Sequence, residues 1–153
     1  MKPGTIFTKL IKTFGGSEDL SYIRNVFKGV RFDIEIDSLP CIMLEPTQNG
    51  DIQQDMNQTK NVWASYDVMG VAYNAYDQDL LFVGNTHYKG VYDIENDIRA
   101  VLQSSYTLGD TVIDIQFEPS VFNLLDFPVR REKYPARGVV IPIRVLYRQV
   151  DGE

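Results

Sequence analysis

The chain has 153 residues, 44% hydrophobic and 12% aromatic, which is the size and composition of one folded domain. Its net charge of −6 is segregated: residues 1–31 carry +4, residues 32–129 carry −13 and residues 130–153 carry +3. An acidic middle between basic ends argues against the coherent basic face that grips nucleic acid. It suits a basic surface that meets an acidic one, within the chain or on another copy. No apolar run approaches the roughly 18–20 residues of a membrane-spanning helix, and the opening Met1-Lys2-Pro3-Gly4 starts no secretory signal. A single cysteine, Cys41, excludes an internal disulfide, and a single histidine, His87, excludes a metal cage of several histidines.

Pro3 suits the first turn of a helix, and Ile6, Phe7, Leu10, Ile11 and Phe14 recur at helical spacing until Gly15-Gly16. Lys9 and Lys12 fall in its last turns, at the negative end of the helix dipole. A second helical turn is expected after Ser17, carrying Leu20, Ile23 and Phe27. Beyond Gly29, Phe32, Ile34 and Ile36 alternate with Asp33, Glu35 and Asp37, which predicts an extended segment with one wet face. Cys41 to Leu44 reads as a short buried strand ended by Glu45-Pro46. Residues 47–60, rich in Asn, Gln and Asp, are expected to form a polar surface loop.

From Asn61 to Tyr76 the chain is strand-like. Val62, Ala64, Tyr66 and Val68 point one way, Trp63, Met69, Val71 and Tyr73 the other, and Gly70 marks a bend or bulge. Tyr76 to Asp79 reads as a turn, followed by a brief apolar run, Leu80 to Val83. The clearest helix follows Gly90: Val91, Ile94, Ile98, Val101 and Leu102 share one stripe, and Leu108-Gly109-Asp110 is the stop. Thr111 to Glu118 and Gly138 to Gln149 alternate as strands, and Pro142 in the second points to an edge position or an interrupted ladder. The order α-β-β-α-β-β predicts a single α+β domain over residues 1–153. Its sheet would be mainly antiparallel, of about four strands, with two helices packed on it.

Catalytic readings find little support in these residues. Asp77-Gln78-Asp79 lacks the later ligands of a calcium loop and fits turn chemistry better. Asp33, Glu35 and Asp37 would share a strand face, more readily a wet face than a metal site. His87 lies in a loop without a nucleophile beside it in sequence, and Cys41 sits in an apolar strand as a core filler would. Asn57-Gln58-Thr59 matches a glycosylation acceptor that means nothing without a signal sequence. The segment 127–137 packs Arg130, Arg131, Lys133, Tyr134 and Arg137 between two strands. It admits three readings: phosphate contacts with stacking on Tyr134, a solvated connection, or a protein-contact loop rich in favoured interface residues.

Taken in order, the elements resemble the tail terminator proteins of long-tailed, lambda-like bacteriophages. The resemblance rests on the strand Leu39-Pro40-Cys41-Ile42-Met43-Leu44-Glu45-Pro46 after a helical N-terminus, then the polar loop and long strand through Tyr73. The helix from Gly90-Val91 to Leu102 and the closing strand Ala136 to Val145 complete it. It implies a non-enzymatic structural subunit, without cofactor, that forms a hexameric ring on the tail tube and faces the head connector. Such a subunit is assembled in the host cytoplasm and resides in the virion. A ring built head-to-tail needs two different complementary patches. The candidates are the polar loop, with Gln53 and Asp55, and the basic loop, with Arg130, Arg131, Lys133, Tyr134 and Arg137. An acidic excess would suit a lumen that lets DNA pass. The alternatives are another neck or tail-completion protein, a small hydrolase or ligand-binding domain, or a nucleic-acid binder.

Overall fold

Pro3 opens the first helix, α1 (Pro3–Gly16), and its apolar stripe buries Ile6, Leu10 and Phe14. The helix continues through both glycines, so Lys9 and Lys12 lie ahead of its last turn, which holds no basic residue. The computed structural model describes residues 2–31, 34–56, 59–74, 76–124 and 136–150. The second helix, α2 (Val91–Ser104), buries all five residues of the expected stripe, Val91, Ile94, Ile98, Val101 and Leu102. Leu108, Gly109 and Asp110 all take positive φ and turn the chain back towards the sheet.

The strands are β1 (Asn25–Lys28), β2 (Cys41–Met56), β3 (Thr59–Tyr73), β4 (Asp114–Phe117), β5 (Val121–Leu124) and β6 (Ala136–Val150). They form one sheet in the order β1-β2-β3-β6-β4, with β5 also paired to β6. The α+β class therefore stands, with two helices and six strands among the described residues in place of about four strands. The sheet is mixed, because β1 runs parallel to β2 while the other pairs are antiparallel. The chain order is α-β-β-β-α-β-β-β.

Three local expectations are corrected. The second helical turn is only a 3-10 turn, Glu18–Leu20, after which the chain enters β1. In β1, Val26 packs towards one hydrophobic cluster and Phe27 towards the other, and a strand that serves both faces shows no polar alternation. The alternating segment Phe32 to Asp37 is no strand in its described part: Ile34 makes an isolated bridge and Ile36–Ser38 is a 3-10 turn. Ile34 and Leu39 instead plug a small second core with Cys41, Met43 and Val71.

The third correction concerns residues 47–60, whose described part is not a loop: 47–56 and 59–60 belong to β2 and β3. Register slips at Pro46/Gln48, Asn49/Asp51 and Ile52/Gln54 break the period-two pattern in β2. A wet strand also needs backbone partners more than apolar side chains.

The main core lies between the helices and one sheet face. Ile6, Leu10 and Phe14 of α1 and Ile94, Ile98 and Leu102 of α2 join Ile42, Leu44, Val68, Val139, Ile141, Ile143 and Val145. Gly70 pairs in register with Ile42 and Val139, so it marks no bulge. A Cβ there would stand 2.6 Å from Ile94 Cγ2, so the missing side chain is what lets α2 settle on the sheet.

Pro142 is not at an edge, since β6 lies between β3 and β4. Its carbonyl accepts from Glu118 N–H at 2.9 Å, and the ring nitrogen faces the same side, where β4 ends at Phe117 and β5 has not begun. The interrupted ladder is therefore the correct reading of this proline.

Gly70→Ala is expected to cost about 1–3 kcal/mol by overpacking against Ile94. The Gly70→Ala/Ile94→Ala pair should cost less than the sum of the single changes in urea melts. Additive costs would show that the helix does not rest on Gly70.

Candidate interaction surfaces

The β2–β3 hairpin and the end of β6 form an arm. β4 pairs with β6 no further than Leu146, and β1 pairs with β2 only over Cys41–Leu44. Past the buried row of Val62 and Tyr147, three rows of three strands continue from Asn61 to Thr59. At strand spacing these rows reach about 10 Å past the core. Gln53 and Asp55 are exposed on its outer strand, as a contact element would require. The base of the arm is tied by Tyr147 Oη, which donates to Asn49 Oδ1 at 3.0 Å. Burial pushes the neighbouring Tyr66 phenol up to about 12, with a smaller contribution from Tyr147.

Among the described residues, the second sheet face is covered by the 34–39 segment, at the Cys41 end. Towards the arm it presents Met69, Asp67, Ser65 and Trp63 of β3, all half-buried. Trp63 is capped by the Arg144 guanidinium, 4.4 Å from the ring centroid, and Arg144 pairs with Asp51 at 3.0 Å. Asp67 lies directly opposite Glu45 on one side and Pro142 on the other, with Glu118 close by. Burial, then the charges of Glu118 and Glu45, hold the Asp67 carboxyl above the usual aspartate range. Glu45 is engaged otherwise: its Oε2 accepts from Val30 N–H at 2.9 Å, beside Gly29, whose φ is +86°. Like charges opposed across strands are recognisable only once the register is known, so sequence reasoning missed this face.

The opposite end of the sheet gathers aromatic side chains. Phe82 lies under Arg137, 5.7 Å from guanidinium to ring centroid, and Tyr92 stacks on Phe122 with centroids 4.7 Å apart. Asp93 Oδ2 accepts from Gly84 N–H at 2.7 Å and Gly90 N–H at 2.8 Å, closing the loop onto the start of α2. His87 is exposed on that loop, and Asn85 Oδ1 accepts its backbone N–H at 2.8 Å. Asp77 serves its turn, with Oδ1 accepting from Asp79 N–H at 2.9 Å. Cys41 is fully buried, and burial pushes its thiol up to about 12, in keeping with a core filler. Of the expected acidic stripe, Glu35 and Asp37 are exposed about a 3-10 turn and do not line a strand; Asp33 lies outside the described residues.

Of the basic-loop candidates, Arg137 is placed on β6, its Nη1 donating to the Ala136 carbonyl at 3.2 Å. Arg130, Arg131, Lys133 and Tyr134 lie outside the described residues. The structure therefore separates Arg137 from Gln53 and Asp55, since Arg137 pairs with Ala72 at the end of β3 remote from the arm. Comparison with known protein families finds no model that matches the chain, and comparison with curated proteins finds no match either.

Because Asp67 binds its proton more tightly in the folded chain, stability falls as pH rises from the ordinary aspartate value through the raised one. Asp67→Asn is expected to raise the Tm by a few degrees at pH 7, and the gain should shrink as pH is lowered towards about 4. A Tm at pH 7 equal to or below that of the parent chain would contradict this account of the face.

Proposed function

We propose that this chain is a structural subunit of a long-tailed bacteriophage, a tail terminator that closes into a hexameric ring on the tail tube and offers a surface to the head connector. The reading involves no catalysis and no cofactor, and it places the protein in the virion. The observation that carries it is the arm. A hairpin rich in Gln, Asn and Asp extends past its own core, with its β3 strand in full backbone register with β6 and its β2 strand slipped against β3. Such a three-stranded arm gains little from its own subunit's burial, since Asp51 to Asp55 of its outer strand are all exposed and it has few apolar side chains to bury. It stands where an adjoining copy or the tube would meet it. The helix-led halves of the chain and the long strands on which the resemblance rests are compatible with the same reading, with residues 47–56 as strand where the resemblance has a loop.

Head-to-tail rings join two different surfaces of each subunit. In this reading Gln53 and Asp55 belong to one of them, while Arg137 and the basic segment 130–134 belong to another. Purified protein is expected to sediment at six times the 17.5 kDa of one chain and to appear as rings by negative-stain electron microscopy. It should also cap purified tail tubes. Rings that ignore tube ends would move the protein to another position in the phage neck. A chain that stays monomeric both alone and beside tubes would remove the reading.

The double change Gln53→Arg/Asp55→Arg touches exposed side chains, so its Tm should stay within the small range of ordinary surface substitutions. Its assembled fraction should nevertheless fall several-fold by analytical ultracentrifugation. Unimpaired assembly would take the arm out of the interface.

A further inference from the structure

We propose that a second copy of this chain docks the lysine face of its α1 onto the open sheet face around Asp67, so that one subunit's helix layer covers the next subunit's bare strands. The proposal rests on the ring reading and adds a second pair of meeting surfaces to the arm and the basic segment named there.

The helix face comes first. Residues 2–17 contain Lys2, Lys9 and Lys12 and no carboxylate. These lysines are exposed together with Gly4, Thr5 and Thr8, and the six residues line one shallow depression of about 520 Å³. Thr8 Oγ1 donates to the Gly4 carbonyl at 2.9 Å and Thr13 Oγ1 to the Lys9 carbonyl at 2.8 Å. The hydroxyls are thus turned back into the helix. What remains is a flat strip of small residues bordered by ammonium groups, the form that lets a helix approach another surface closely.

The receiving face is its complement. Asp67, Glu45 and Glu118 crowd one another about the centre of the sheet, with Asp51 and Asp114 nearer the arm. Arg144 is already committed to Asp51 and the Trp63 ring. Opposed carboxylates are a cross-strand penalty, and a cation laid between them turns it into attraction. The half-buried stretch of β3 from Trp63 to Met69 is about 20 Å long at strand spacing, and α1 with its 14 residues is about 21 Å long.

The lysines of the subunit's own α1 cannot reach this site. α1 packs on the opposite face of the same sheet through Ile6, Leu10 and Phe14, so its lysines point away from Asp67. Only another copy can bring the two surfaces together, and the joint is then head-to-tail, which closes into rings or runs on as filaments.

The test uses the full chain and two variants whose folding is checked by circular dichroism melts. Lys9→Glu/Lys12→Glu spoils the helix face, and Asp67→Asn/Glu118→Lys spoils the sheet face. Asp67→Asn alone serves as a gentler sheet-face variant, since it removes a repulsion within the subunit. Each double variant is expected to weaken self-association at least ten-fold in sedimentation velocity. Mixed together, they should form dimers and nothing larger, because the mixture holds one good helix face and one good sheet face per pair. Parent-chain association should also weaken as salt is raised.

Variants that assemble as well as a parent chain that forms rings would overturn this docking and leave the ring reading intact. A parent chain that never assembles, free or on tail tubes, would overturn both. Lysine variants that lose retention on DNA while assembling normally would overturn the docking in favour of nucleic acid on α1.

Discussion

The antiparallel pairing of β3 with β6 is the constraint on which the rest of the structure depends. It runs in unbroken register from Thr59 opposite Val150 to Tyr73 opposite Ala136. The departures from regularity among the described pairings are displaced to the flanks: slips fall in β2 and between Val121 and Leu124 of β5, and the break opposite Pro142 falls between β4 and β5. That displacement is physically sensible. A bulge in a central strand would disturb two ladders and the helix above them, whereas one in an edge strand twists only the edge and discourages unwanted strand addition. The same rigid pair fixes Gly70 beneath Ile94, and with it the seat of α2.

The regular centre also makes the two faces of the sheet unequal. One face meets both helices with an unbroken apolar surface. On the other, among the described residues, Ile34 and Leu39 close over Cys41 and Met43, and the half-buried remainder carries charge. Where Glu118 leaves β4, Arg99 pins the chain: its Nη2 donates to the Glu118 carbonyl at 3.0 Å and also to Ser120 Oγ, while its Nε pairs with Glu95. The half-open face is therefore held by a built framework, and its acidic groups keep fixed positions relative to the arm.

What could be read from the sequence follows from which elements have one wet side. The spacing in α1, α2, β3 and β6 identifies the stripe each lays on the main core, and in β3 it separates Val62, Ala64, Tyr66 and Val68 from Trp63, Met69, Val71 and Tyr73. β1 was lost because Val26 and Phe27 serve different cores, so it has no wet side to betray its period. β5 gave too short a signal beside Pro119. The polar half of β2 failed for the opposite reason: it has almost no dry side, and its slips erase alternation. Of the site, Gln53 and Asp55 could be identified as exposed polar groups, but the crowding of Asp67 with Glu45 could not. That contact joins residues whose adjacency is set by register alone.

The central pairing also shapes how the chain reaches its fold. Residue 59 finds its partner at residue 150, with α2 and two short strands intervening. During synthesis, β3 leaves the ribosome with β2 already beside it, while its other edge waits for residues still to be made. Closing so long a loop makes the final pairing late and entropically demanding. Until β6 arrives, Val62, Val68 and Val71 belong to an open hydrophobic edge. The interval between the emergence of the third strand and that of the sixth is therefore when the newborn chain exposes the apolar edge that the finished fold hides.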